Sequence, residues 1–240
     1  MTFYLIGLGL NLKSIAIEAK EIIEKADKIY LENYTVDFPY NLQELEKQLG
    51  KKIISLAREK TEDESILQES KKQDIVLLVY GNPLSATTHI SLIIKCKKEK
   101  IPYKIIHSES ILTAIAETGL QLYKFGKTAS MPKFQKSFEP DSWFDIILEN
   151  QKIKAHTLLL TDIGLQVKDA IAQLEKIMKK RNTNIEKIII CSQIGHNTKI
   201  YYNTLKQLEK KQIPLPFCII IPSELHFIEQ EALDLLKEKS

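Results

Sequence analysis

Arginine is nearly missing from this chain. Of its 34 basic residues only Arg58 and Arg181 carry a guanidinium; the rest are lysine. A surface built to grip phosphates favours the forked guanidinium, so this imbalance argues against direct nucleic-acid binding. A net charge of +3 is also too small to draw a polyanion by itself. Cysteine is scarce too. Cys96, Cys191 and Cys218 are odd in number and widely separated, which gives neither a disulfide framework nor zinc-ligand spacing, and no metal site is expected. They read as small buried hydrophobes of a protein kept in the reducing cytoplasm. No apolar run reaches the roughly 18 residues of a membrane-spanning helix, so no membrane association is expected. The opening MTFYLIGLGL lacks the basic segment and small-residue cleavage site of a secretory leader and reads as a first strand.

What is present is an alternation of strand-like and helix-like segments, with enough apolar residues (44%) to build a core. Residues 2–8 form a continuous apolar run ending in glycines, as a strand buried on both faces does. Residues 14–26 place Ile15, Ala19, Ile22, Ile23 and Ala26 at helical spacing. Strands are expected at 28–32, 53–56, 74–80 and 103–107. Helices are expected at 65–72 and 88–100, with Asn41 and Glu44 spaced as a capping box for another. Ser110 is placed to cap a helix running to Gly119. Such alternation predicts βαβ units and a mostly parallel sheet. Residues 123–140, with Gly126, Pro132 and Pro140, break the pattern and read as a linker plus a strand of a second domain. Beyond them come helices at 142–152, 168–180 and 224–237, strands at 157–162, 187–191 and 217–221, and a stretch at 200–211 that fits either. The reading is a two-domain α/β fold: an N-terminal α/β domain at 1–114 with a mostly parallel sheet, and a C-terminal α/β domain at 115–240 with a mixed one. Lysine clusters at 95–100 and 179–181 fall at helix ends, where the macrodipole favours them.

Three motifs stand out. Gly7-Leu8-Gly9-Leu10 follows the first strand; a dinucleotide fingerprint would need a third glycine where Leu12 stands, although Glu32 would suit a ribose hydroxyl. Its plain alternative is a tight turn needing φ > 0. GNPLSATTH (81–89) follows the apolar strand 74–80 and precedes a helix. Ligands of open α/β sheets settle beyond the carboxyl ends of strands, and a simple turn with a threonine cap fits the spacing equally. TGLQLYKFGKT (118–128) alternates aromatics with lysines between glycines. A strand with one buried face explains it, with Tyr123 and Phe125 packed in the core.

Taken together with HSESI (107–111) and PSELHFIE (222–229), these segments resemble the diphthine synthase family, a branch of the tetrapyrrole methylases, in the family's order and over nearly the whole chain. The resemblance implies two α/β domains with a cofactor cleft between them, a homodimer, and S-adenosylmethionine as methyl donor, leaving S-adenosylhomocysteine. It implies methylation of the amino group of a 3-amino-3-carboxypropyl extension on a histidine of translation elongation factor 2: trimethylation in archaeal-type members, with a fourth methyl as an ester in eukaryotic-type ones, and the compact chain without insertions fits the archaeal type. Carried over by motif, the cofactor contacts are Leu10, Asn82, Ser85, Ser110, Ile111, Thr161, Ile194 and His226. Two departures stand out: the family usually has aspartate where this chain has Asn82, and an Ala-Arg-Ala-Gly-like string where it has Ser192-Gln193-Ile194-Gly195.

Methyl transfer from a sulfonium is an in-line displacement on an activated carbon, so the protein's main task is alignment. Positive charge on sulfur falls in the transition state, so a carboxylate beside it would favour the ground state. Asn82 is therefore compatible with turnover, and no catalytic residue is assigned. His89, His107 and His226 are the histidines considered as a base for the amine. Two other readings stay open: a methyltransferase of the same fold acting on a tetrapyrrole or ribosomal RNA, and a weakened or non-catalytic cofactor-binding homologue.

Overall fold

The structure is a computed structural model that describes residues 1–57 and 65–236. Arg58 and the expected helix end at Lys237 lie outside the described residues. The chain divides into two compact units, residues 1–111 and residues from 112 onward.

The first unit is built on five parallel strands: β1 (Phe3–Gly7), β2 (Lys28–Glu32), β3 (Ile54–Leu56), β4 (Ile75–Val79) and β5 (Tyr103–Ile106). Their spatial order is β3-β2-β4-β1-β5, and every pairing is parallel. All five residues of β4 are buried, because it lies between β2 and β1 and is covered on both faces. Its alternate side chains feed two cores. Ile75, Leu77 and Val79 join Phe3 and Leu5 with Leu92, Ile93 and Cys96 of helix α4 (Ile90–Glu99). Val76 and Leu78 join Ile6 and Leu8 with Ile15, with Ala19 and Ile23 of α1 (Ile17–Lys25), and with Leu45 of α2 (Leu42–Leu49). Each fully buried Leu or Ile contributes about 1.5–3 kcal/mol, so a strand buried on both faces anchors both layers. A short helix α3 (Ser65–Glu69) adds Ile66 and Leu67 to the first core.

The second unit carries a mixed sheet: β6 (Ala129–Met131), β7 (Thr157–Thr161), β8 (Lys187–Ser192), β9 (Lys199–Thr204) and β10 (Phe217–Ile221), ordered β6-β7-β10-β8-β9. Only β6 and β7 run parallel; β10 is antiparallel to both neighbours, and β9 to β8. Helices α6 (Ser142–Lys152) and α7 (Val167–Lys180) lay Trp143, Phe144, Ile147, Ala170, Ile171 and Leu174 on this sheet. Cys191 and Cys218 face each other across β8 and β10 as free, buried thiols. The neighbouring Cys218 and burial push the Cys191 thiol well above its ordinary range, which leaves it unreactive.

Several boundaries differ from the sequence reading. The segment 200–211 is both things in turn, β9 to Thr204 and then α8 (Leu205–Leu208). The helix expected from Ser110 to Gly119 is one α turn, α5 (Ile111–Ala114), which tightens into a 3-10 turn at Ile115–Thr118. There the Thr118 hydroxyl donates to Ile115 O at 2.7 Å, and Gly119 stops the turn at φ +83°. Residues 122–124 form a second 3-10 turn, not a strand, which leaves Tyr123 82% exposed. The last helix, α9 (Phe227–Leu235), starts after His226.

The capping box of α2 is present: the Asn41 side chain accepts Glu44 N–H at 2.9 Å, and Glu44 Oε2 accepts Asn41 N–H at 2.8 Å. Asn41→Ala is expected to lower the unfolding free energy by about 1 kcal/mol in urea titrations.

Candidate functional site

Three loops meet at the carboxyl edge of the first sheet, because β4, β1 and β5 are neighbours there. The loops after β1 and β4 are joined by a reciprocal pair of backbone bonds: Gly9 N–H to Gly81 O at 3.2 Å and Gly81 N–H to Gly9 O at 3.0 Å. Both glycines have positive φ, +71° and +69°. A Cβ at Gly7 would stand 2.6 Å from Gly81 O and 2.8 Å from Pro83 Cδ. A Cβ at Gly9 would stand 2.4 Å from Ser14 Cβ and 2.9 Å from Ser108 Oγ. The Gly-Leu-Gly string is therefore a close-approach device.

Leu10, 3% exposed, is brought to this edge. The Tyr80 hydroxyl donates to its carbonyl at 3.1 Å, and its Cδ2 would be 3.9 Å from a Cβ at Gly81. Asn82 ties the β4 loop to the β5 loop. Its amide nitrogen donates to Ser108 O at 3.1 Å and lies 3.2 Å from His107 Nδ1, while its Oδ1 accepts Leu84 N–H at 3.2 Å. Ser14 donates to Glu109 Oε2 at 2.9 Å, closing the ring of loops from the β1 side. Ser110 is buried and Ile111 half-buried just beyond.

Ser85 is half-buried in the turn after Asn82, its N–H on Asn82 O at 3.1 Å. The next residue, Ala86, is held at φ +58°, a left-handed conformation that costs an L-residue about 1–2 kcal/mol. Pro83 O holds the turn closed, accepting the Thr87 hydroxyl at 2.7 Å and His89 Nδ1–H at 3.2 Å. His89 is 2% exposed, so it scaffolds the loop and presents no base to solvent. Glu32, the ribose candidate of a dinucleotide reading, is fully buried. Its oxygens accept Tyr34 N–H, Thr35 N–H and the Thr35 hydroxyl at 2.9, 2.8 and 2.9 Å. That carboxylate is committed to its own loop.

In the second unit Thr161 and Ile194 share one sheet edge. Thr161 closes β7, and its hydroxyl donates to Phe217 O at 2.6 Å. Ile194, 4% exposed, sits in the turn after β8. Beside it Gln193 is held at φ +49° by its N–H on Pro216 O at 2.9 Å and its amide on Leu215 O at 2.7 Å. Gln193 is thus a turn latch. His226 leaves β10 from the other end, past Ile221, which pairs with Thr157. It is the exposed N-cap of α9, its Nδ1 3.4 Å from Ile228 N and its ring 4.2 Å from that of Phe227.

Sequence reasoning missed a buried charged cluster beside His226. Glu229 is fully buried. Its carboxylate accepts Lys124 Nζ at 2.5 Å, Gln121 N–H at 2.9 Å, His226 N–H at 2.7 Å and His156 Nε2–H at 3.2 Å. Burial alone would raise this carboxyl; the donors outweigh it and hold Glu229 at about 2. His156 is also fully buried, its Nδ1 accepting Ser223 N–H at 2.9 Å. Desolvation lowers its pKa against the pull of Glu229. The TGLQLYKFGKT string serves this cluster. Gly119 admits Ala232, whose Cβ a glycine Cβ would meet at 2.3 Å, and Gly126 lies against Asn150 Oδ1, at 2.2 Å from such a Cβ. Asn150 then clamps Lys127 through its N–H and its O at 3.0 and 2.8 Å. The signal available in the sequence was the pairing of two unusual strings; His156 gave none.

The Tetrapyrrole (Corrin/Porphyrin) Methylases model matches residues 2–209. That places the fold in a class of α/β methylases. A diphthine synthase of Methanococcus aeolicus is 39% identical across 98% of this chain and 97% of its own. A diphthine methyl ester synthase of Saccharomyces cerevisiae is 36% identical across 96% of this chain and 87% of its own. A crystal structure of a diphthine synthase superposes with a TM-score of 0.89 at 28% identity, covering 99% of this chain and 96% of that one. The chain belongs to the diphthine synthase family of methyltransferases. Among the described residues no helix is long and apolar enough to cross a membrane, and no cluster of three His, Cys, Asp or Glu could hold a metal ion.

Two outcomes follow. Asn82→Asp would remove the amide donor to Ser108 O and set a carboxylate oxygen against that carbonyl. It is expected to cost about 1–3 kcal/mol in urea unfolding above neutral pH; unchanged stability would contradict the assigned amide orientation. Glu229, depressed from 4.5 to about 2, stabilises the fold above pH 4.5 and loses that contribution as pH falls toward 2. Glu229→Gln should flatten that limb of the stability curve while lowering stability at neutral pH.

Proposed function

We propose that the protein transfers methyl groups from S-adenosylmethionine to the amino group of a 3-amino-3-carboxypropyl-histidine on translation elongation factor 2, completing a trimethylated amine. Its ligand contacts are Leu10, Asn82, Ser85, Ser110 and Ile111 of the first unit and Thr161, Ile194 and His226 of the second. The reading places the enzyme in the cytoplasm as a homodimer. The observation that carries it is the convergence of the β1, β4 and β5 loops on one sheet edge, in a chain similar to diphthine synthases from end to end.

The residues fit the ligand. Gly7, Gly9 and Gly81 keep side chains out of the cradle. Leu10 and Ile111 offer apolar surface, and Asn82, Ser85 and Ser110 are polar but uncharged. When bound, S-adenosylmethionine supplies a methyl group on a sulfonium. No carboxylate among these residues holds the positive ground state, so the site avoids binding energy that the transition state would forfeit. The tied loops fix the direction of attack, where alignment is worth roughly 7–11 kcal/mol in favourable cases. The exposed His226 ring, backed by Phe227, offers a flat face and an Nε2–H to a nucleoside. His89 is buried in its loop and offers the amine no base; deprotonation to water before binding needs none.

The test incubates the purified chain with labelled S-adenosylmethionine and elongation factor 2 carrying the unmethylated extension, followed by mass spectrometry of the modified peptide. Three methyl groups on nitrogen are expected. No transfer to the factor, or transfer to a tetrapyrrole or ribosomal RNA instead, would overturn the assignment. Binding of the ligand without turnover would mark a non-catalytic homologue.

A further inference from the structure

The segment from Pro222 to Glu229 has little packing of its own, since residues 224 and 226–228 are exposed. It is held by a ladder of polar bonds. Gln151 Nε2 donates to Pro222 O at 3.0 Å, and the Ser223 hydroxyl to Gln151 Oε1 at 3.3 Å. Ser223 N–H donates to His156 Nδ1 at 2.9 Å, and Lys124 Nζ to Glu224 O at 2.8 Å. His226 N–H ends the ladder on Glu229 Oε2 at 2.7 Å. Among the described residues, His156 alone both accepts from the segment and donates to Glu229, through its two ring nitrogens.

We infer that His156 is a positioning residue: clamped between Ser223 N–H and Glu229, it holds the segment that presents the His226 ring to the bound nucleoside. The inference rests on the ligand contact proposed for His226. An apolar side chain would fill the space without the cost of burying two polar nitrogens. Instead the ring is wholly buried with both nitrogens engaged, one to each end of the segment. The arrangement requires the neutral ring, because an imidazolium cannot accept Ser223 N–H. The charged groups facing it are Glu229 of α9, which favours the imidazolium, and Lys124 of the 3-10 turn, which opposes it. The edge of Phe125, at 5.5 Å between centroids, completes its surroundings.

The experiment is calorimetric titration of S-adenosylhomocysteine into the full-length chain, as a double-mutant cycle with His226→Ala. His156→Gln places an amide donor near the Nε2 position and loses the acceptor for Ser223. It is expected to weaken binding about tenfold, near the cost of one buried hydrogen bond. His156→Asn, whose Oδ1 overlies Nδ1, restores the acceptor for Ser223 but gives up the donor to Glu229, so it too is expected to weaken binding. On the His226→Ala background His156→Gln costs nothing further, since it acts through the missing ring. Gln151→Ala releases the outer bonds to Pro222 and Ser223 without disturbing a buried charge. It should show the same non-additivity at smaller size, and it serves the cycle if His156→Gln does not fold. Losses that add independently on the His226→Ala background would overturn the inference. Failure of the unaltered chain to bind would instead overturn the proposed function.

Discussion

Gly9 and Gly81 exchange hydrogen bonds across the carboxyl ends of two adjacent parallel strands, and they do so at left-handed φ with no room for a Cβ at Gly7 or Gly9. Everything at the first unit's edge depends on that contact. It brings the β1 loop down onto the β4 loop, so that Leu10 lies buried beside Gly81. Asn82 extends the arrangement to Ser108 and His107. Hydrogen bonds join the three loops into one rim, at the edge where parallel α/β sheets hold their ligands. Rigidity matters for methyl transfer in particular, since alignment, not acid–base machinery, is most of the task.

The second unit achieves rigidity differently. Its last helix is tied down by a buried carboxylate, and a buried charge is tolerated only when paired and fully bonded. Glu229 collects four donors, from Gln121, Lys124, His156 and His226. The desolvation of one carboxylate thereby organises two sequence segments about a hundred positions apart (|i−j| of 105 for Lys124) and one strand start. Breaking any single bond leaves the charge partly unmatched, which makes the cluster cooperative and the His226 segment well defined.

The fold was legible where burial alone decides structure. A run such as Ile75–Val79 can be little but a strand covered on both faces, and Asn41 with Glu44 marks a helix start through local bonds only. Legibility failed where long-range partners decide. Residues 200–211 carry both a strand and a helix, because β9 ends at the sheet edge and Thr204 turns the chain. Tyr123 has the composition of a core residue but rides on a 3-10 turn in solvent. For the site, the loops that carry Leu10, Asn82 and Ser110 are tied at one sheet edge, yet the ties, the Gly9–Gly81 pair and an amide with three partners, are properties of folded geometry. His156 lies 67 and 73 positions from the residues that define it, with nothing in its own neighbourhood to announce it.

The most direct measurement is a crystal structure of the full chain grown with S-adenosylhomocysteine. The account predicts density for the thioether against the rim made by Leu10, Asn82, Ser85 and Ser110, with the Gly9–Gly81 bonds intact. Density elsewhere on the molecule, or a rim that opens and leaves those four residues untouched, would contradict it.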